Sequence, residues 1–233
     1  MLELRQVGAA YGSSHVLFGI DLSICEGEVV TLMGRNGMGK TSTVNSIMGL
    51  LPLTQGEIRF AGDRISGLPP HRIARAGLAL VPEGRQVFPN LTVEENLIAT
   101  AANRGGAASP WTLKAVYDLF PALAPLARRG AGLLSGGEQQ MLAVGRALMT
   151  NPRLIIFDEA TEGLAPKIRA QIWAALQKIR SHGQSVLVID KNIRMLSRFA
   201  DRHVILEKGR VVWSGTSGEL DADEGISARF LSA

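Results

Sequence analysis

The sequence predicts an α/β protein: a phosphate-binding core, an antiparallel β region ahead of it, and a helical lobe inserted into it. Three observations support this. Val29 to Met33, Leu78 to Val81 and Leu154 to Phe157 are short, continuous apolar runs, the pattern of strands buried on both faces. The first of them runs into the glycine-rich segment GRNGMGKT, Gly34 to Thr41, and then into a helical stretch. From about Glu83 to Asn151 the strand signal disappears.

Taken in order, Leu2 to Val7 and Val16 to Ile24 read as strands, and Lys40 to Leu50 as the helix after the phosphate loop. Glu57 to Phe60 is a further short strand, and Leu78 to Val81 is stopped by Pro82. In the middle segment, Thr92 with Glu95 forms a capping-box pattern that opens a helix through Ala101. Arg104 to Pro110 is a loop, and Trp111 to Phe120 a second helix broken by Pro121 and Pro125. Ser135 with Glu138 repeats the capping box and starts a helix to about Met149. Strand and helix then alternate: Leu154 to Phe157, Pro166 to Arg180, Ser185 to Ile189, Asn192 to Phe199 and Val204 to Leu206. Such alternation implies parallel strands joined by crossover helices, and a hairpin around Lys208-Gly209 closes the pattern. The domain expectation is one domain over residues 1–233, with a core lobe of about 1–82 and 152–233 and a helical lobe of about 83–151.

Composition narrows the function. With 46% hydrophobic and 20% charged residues over 233 positions, the chain can bury a substantial core. No apolar run approaches the roughly 20 residues that cross a bilayer. Glu3 and Arg5 stand where a signal peptide needs an apolar core, so export is not expected. The net charge of +4 is scattered and aromatics are only 5%, which argues against a nucleic-acid partner. The single Cys25 excludes an internal disulfide, suits a reducing compartment, and reads as a small buried apolar side chain.

Gly34, Gly39, Lys40 and Thr41 satisfy the phosphate-loop pattern. The whole stretch Gly34, Arg35, Asn36, Gly37, Met38, Gly39, Lys40, Thr41 and Ser42 is the candidate triphosphate cradle, with backbone N–H groups and a helix N-terminus facing the anion. Lys40 is expected to reach the β- and γ-phosphates, and the Thr41 hydroxyl to ligate Mg²⁺. Asp158 and Glu159 end an apolar strand, and in an open α/β sheet that end lies beside the phosphate loop. Asp158 suits the Mg²⁺ shell, directly or through water, and Glu159 suits the base that activates the attacking water. Ser135, Gly136 and Gly137, with Glu138, open a second helix capable of holding phosphate. Two such devices, too far apart to form one loop, suggest ATP sandwiched between two copies of the fold.

In motif order and spacing the chain resembles, over nearly its whole length, the ATP-binding subunits of ABC transporters, with their P-loop NTPase core and inserted helical lobe. The resemblance implies that Ser135, Gly136 and Gly137 meet a γ-phosphate held by the opposite subunit. It implies that Tyr11 stacks on adenine and Val16 flanks the same base. From the residues alone, a core or edge-strand tyrosine is an equally good reading of Tyr11, and an ordinary strand valine is the default reading of Val16. Glu83 falls where the family usually has glutamine, at a position that senses the Mg²⁺ site and links it to the membrane partner. The strings VPEGRQVFPNLTVEENL from Val81, LSGGEQQMLAVGRALMTNPRL from Leu134 and GLAP from Gly163 look like the branched-chain amino acid importer branch. Importers of urea, amides or other small organic solutes share them. The implied partners are transmembrane permease subunits, a second ATPase subunit and, indirectly, a solute-binding protein. The implied place is cytoplasmic, peripheral on the inner face of the cell membrane.

Two features depart from the family. Asp190 and Lys191 stand where a switch histidine usually contacts the γ-phosphate, and none of His15, His71, His182 and His203 sits there. These four read as exposed or partly buried and non-catalytic. For Lys191 two readings stand: a catalytic contact to the γ-phosphate, or a solvated strand end. Glu162, in the segment after Glu159, adds negative charge where two subunits should meet.

Overall fold

The computed structural model of the chain describes residues 1–190, 192–222, 224–226 and 230. The chain forms two compact units, Met1–Ala76 with Ser185–Ala233, and Gly77–Gln184.

The first unit begins with strands β1 (Leu2–Tyr11), β2 (Ser14–Ile24) and β3 (Val29–Met33), then helix α1 (Lys40–Ile47), strands β4 (Leu53–Phe60) and β5 (Asp63–Arg64), and helix α2 (Pro70–Arg75). Strands in the order β2-β1-β4-β5 make an antiparallel sheet, as the sequence predicts. In β2, alternation buries Ile20, Leu22 and Ile24, while Leu17 is buried out of that phase, on the far side of Gly19 at φ 75. β1 continues past the expected end at Val7 to Tyr11, because its register shifts against β2 between Leu4 and Ala10. Bulges of that kind break the period-2 pattern without ending the strand. α1 stops earlier than expected, since Gly49 at φ 70 turns the chain into the left-handed region.

The second unit holds β6 (Leu78–Val81), α3 (Val93–Ala99), α4 (Leu113–Leu119), α5 (Gly136–Leu148), β7 (Leu154–Asp158) and α6 (Pro166–Ser181). β6 and β7 pair in parallel from Leu78↔Leu154 to Val81↔Phe157, and every residue of β7 is buried. Short 3₁₀ turns, Pro121–Leu126 and Ala131–Leu133, lead into α5. Both anticipated capping boxes are present, Thr92 with Glu95 and Ser135 with Glu138.

Returning to the first unit, the chain adds β8 (Ser185–Ile189), α7 (Ile193–Phe199), β9 (Arg202–Glu207), β10 (Arg210–Thr216), α8 (Ser217–Ala222) and α9 (Glu224–Ile226). β3 pairs in parallel with both β8 and β9, while β9 and β10 form the expected antiparallel hairpin. α8 was not legible in the sequence, although Thr216 and Glu219 bond as a third capping box. Cys25 is exposed rather than buried, because it follows β2 in the turn before β3. His203 is fully buried, on β9 at the register of Thr31. Among the described residues no helix is long and apolar enough to cross a membrane.

Candidate nucleotide site

In the first unit, β3 is buried throughout and delivers Gly34 at φ 140. A Cβ there would collide with the carbonyl oxygen of Leu206, so the turn needs glycine on two counts. Gly39, at φ 103, is the N-cap of α1; it offers no side-chain cap, and the first turn carries no acidic residue. The positive end of α1 therefore faces outward without a carboxylate of its own helix upon it. Lys40 is only 6% exposed, and its Nζ donates to the carbonyl oxygens of Gly34 at 2.9 Å and Arg35 at 3.0 Å. That holds the ammonium within the loop instead of in solvent. Arg35, Asn36 and Gly37 form the exposed crown, and Thr41 and Ser42 follow in the first turn of α1.

The loop is braced from behind. Met38 accepts a hydrogen bond from Gly209 N–H at its carbonyl oxygen (3.0 Å) and one from Lys208 N–H at its sulfur (3.2 Å). Gly209 O in turn accepts from Phe18 N–H at 2.9 Å, so the β9–β10 turn ties β2 to the phosphate loop. The Val16 carbonyl faces both Gly39 and Gly209. Tyr11 is 50% exposed, and its hydroxyl accepts from Asn45 Nδ2 of α1 at 3.3 Å. An exposed aromatic face steadied at its hydroxyl end is suited to stacking on a planar base.

In the second unit, parallel pairing sets the carboxyl ends of β6 and β7 side by side. Pro82 and Glu83 leave one end, and Asp158 and Glu159 stand at the other. Asp158 is 4% exposed, and Glu159 is half-buried with φ 49, a conformation rare for a residue with a side chain. Non-glycine residues held there concentrate at functional sites. Ser135 is exposed at the N-cap of α5; its backbone N–H and its hydroxyl both donate to Glu138 Oε2, at 2.7 and 2.8 Å. Gly136 and Gly137 fill the first turn, with the Arg85 guanidinium against one and Ile168 against the other.

The expected residues thus fall into two sets. Tyr11, Val16 and Gly34 to Ser42 gather in the first unit, while Glu83, Ser135 to Glu138, Asp158 and Glu159 belong to the second. Lys191 lies outside the described residues. Sequence reasoning missed Asn45, Gly209 and Arg146. Arg146 donates from α5 to the carbonyl of Gln86 and lies over the Phe88 ring at 4.4 Å. Burial pulls its guanidinium below the ordinary arginine value.

A family model described as "ABC transporter" matches residues 17–162. The chain is 40% identical to the high-affinity branched-chain amino acid transport ATP-binding protein BraG of Pseudomonas aeruginosa, over 99% of both chains. It belongs to the ABC transporter family. A second relative, the probable branched-chain amino acid transport ATP-binding protein LivF of Archaeoglobus fulgidus, is 35% identical over 94% of both chains. Among solved structures, a dimeric ATP-binding cassette in a post-hydrolysis state with ADP and phosphate is similar at a TM-score of 0.78. It shares 27% identity, over 93% of this chain and 99% of its own. The chain is thus an ABC-type ATP-binding subunit.

Proposed function

We propose that the chain binds Mg²⁺–ATP and hydrolyses it as one of two ATPase subunits of an importer for branched-chain amino acids. The observation that carries this is the match to BraG, which leaves almost no part of either chain uncovered. The permease subunits and a solute-binding protein supply the selectivity. The ATPase sits on the cytoplasmic face of the membrane, held by its permease.

The residues present fit a magnesium nucleotide. Thr41 and Asp158 offer the hard oxygen donors that Mg²⁺ takes, with Glu83 a further carboxylate for its outer shell. Among the described residues no three His, Cys, Asp or Glu side chains gather as a metal cage. Mg²⁺ bound with a nucleotide needs none, because it leans on phosphate oxygens and one or two protein ligands. Bound there, it would neutralise charge on the phosphate oxygens. Lys40 adds a fixed positive charge to the same oxygens, and the amides of Arg35 to Ser42 surround them. Glu159 accepts the proton of the attacking water, and Tyr11 stacks on the adenine. Ser135, Gly136 and Gly137 of one protomer close on the γ-phosphate held by the other, so ATP binds two surfaces that separate after hydrolysis.

The test is reconstitution with the native permease in vesicles. Leucine, isoleucine or valine, presented with the solute-binding protein, raises ATP turnover above its resting rate. Stimulation by urea or an amide instead would move the substrate assignment and leave the ATPase assignment standing. A mixed dimer of Lys40→Ala and Ser135→Ala protomers retains one intact composite site, and activity equal to that of either pure mutant rejects the shared clamp.

A further inference from the structure

The segment from Glu83 to Phe88 is held in a backbone conformation that its own residues disfavour. Gly84, Arg85 and Gln86 follow one another in the left-handed region, at φ 82, 68 and 45. Only the first is glycine, so something outside the segment must stabilise the other two. Gln86 N–H closes the turn onto Gly84 O at 2.7 Å.

Two side chains hold it from outside. Asn96 of α3, fully buried, grips Phe88 on both sides: its Oδ1 accepts from Phe88 N–H at 2.9 Å and its Nδ2 donates to Phe88 O at 3.0 Å. Arg146, in the last turn of α5, takes the middle of the segment. Its Nη2 donates to Gln86 O at 2.5 Å while the guanidinium plane covers Phe88. Its Nη1 is buried with no hydrogen-bond partner among the described residues. A charged group placed so imperfectly for its own solvation is poorly explained as mere filling, since a leucine would pack there at less desolvation cost. What it supplies is a strong donor to one carbonyl at the centre of a strained turn.

We infer that Arg146 is a positioning residue for Glu83: by fixing Gln86 it holds the left-handed turn that sets where Glu83 stands beyond β6. The arrangement also ties that turn to the helix that opens with Ser135, so the two present their groups as one piece. The Arg85 guanidinium also lies against Gly136 in the first turn of that helix. This inference rests on the proposed role of Glu83 at the magnesium nucleotide.

The test compares Arg146→Met, Glu83→Ala and the double variant in the full-length protein, reading kcat and KM for Mg²⁺–ATP. Methionine keeps the packed stem and removes the donor and the charge. The single Arg146 variant loses about tenfold or more in kcat, as a displaced active-site group does. Its KM stays within about twofold of the parent, because nucleotide affinity rests mainly on the phosphate loop. In the Glu83→Ala background the same substitution changes kcat by less than about twofold. Full multiplicative losses in the double variant, or an unchanged kcat in the single one, overturn the inference. A Glu83→Ala protein with normal kcat would instead sink the assignment of Glu83. If Arg146→Met fails to fold, Arg146→Leu removes the same donor and charge and carries the same comparison.

Discussion

Asn96 gives the sharpest physical prediction. Its side chain is fully buried and serves four backbone groups: Phe88 N–H donates to Oδ1, while Nδ2 donates to Phe88 O, Leu91 O and Thr92 O at 3.0, 3.2 and 2.9 Å. The three surrounding carbonyls and single N–H fix which end of the amide is which. Asn96→Ala removes all four partners. At about 1 kcal/mol for each of the three strongest bonds, the loss is about 3 kcal/mol, a large share of a typical stability of about 5–15 kcal/mol. Asn96→Asp is nearly isosteric yet should be worse at neutral pH. The carboxylate still accepts from Phe88 N–H, but its other oxygen then faces three carbonyl oxygens, and an unpaired buried charge costs about 3–5 kcal/mol.

The introduced carboxyl would therefore titrate above its unfolded value of about 3.9. The sign follows: the folded state holds the proton longer than the unfolded chain, so the deficit of Asn96→Asp grows as pH rises from about 4 and levels off above the folded pKa. Urea unfolding followed by tryptophan fluorescence reads the second unit through Trp111 and Trp173. Asn96→Asp as stable as Asn96→Ala at pH 8, or a deficit that does not shrink in acid, refutes the assigned network.

Further predictions come from other parts of the molecule. Ser217 Oγ donates to Ala200 O, so it accepts from His203 Nε2, and Nδ1 accepts from Thr31. Burial holds His203 below its ordinary pKa against the opposing pull of Asp221, so its stabilisation is complete above about pH 6.5 and is lost as pH falls. His203→Leu flattens that acid limb in a stability–pH profile, and an equally steep limb in both proteins rejects the claim. Gly34→Ala meets a backbone carbonyl at positive φ and should abolish nucleotide binding or folding, read by calorimetric titration with Mg²⁺–ATP. Gly136→Ala meets only the flexible end of Arg85, so its melting temperature should hold or rise, since alanine favours helix by about 1 kcal/mol. Glu159→Gln should keep ATP affinity while turnover falls by about a hundredfold or more, and turnover near that of the parent removes Glu159 as the base.

What the sequence made legible was whatever is local. The phosphate loop, both helical capping boxes and the buried strands each depend on residues within a few positions of one another, and each stands where expected. Bulges scramble the alternation of β1 beyond Leu4, and Ser217 to Ala222 of α8 has little apolar periodicity, so neither the end of that strand nor that helix is legible in the sequence. The exposed Cys25 shows the limit of composition. A small apolar side chain is usually buried, but the turn between β2 and β3 decides otherwise.

The supports of the site were illegible for a different reason: they are long-range and chemically unremarkable. Gly209 braces Met38 across 171 positions of sequence using only backbone groups, which no motif can announce. Asn45 reaches Tyr11 from a helix whose pattern speaks only of phosphate binding. Arg146 sits inside the string GRALM, where it reads as an ordinary helix residue, and only the path of the Glu83 to Phe88 turn gives it a task. Groups that touch a ligand must be of a particular chemical kind, so they leave a signature. Groups that hold those in place need only the right distance, and distance is a property of the folded chain. Glu159 is accordingly legible from its neighbours in sequence, whereas Arg146 takes its task only from the turn it holds.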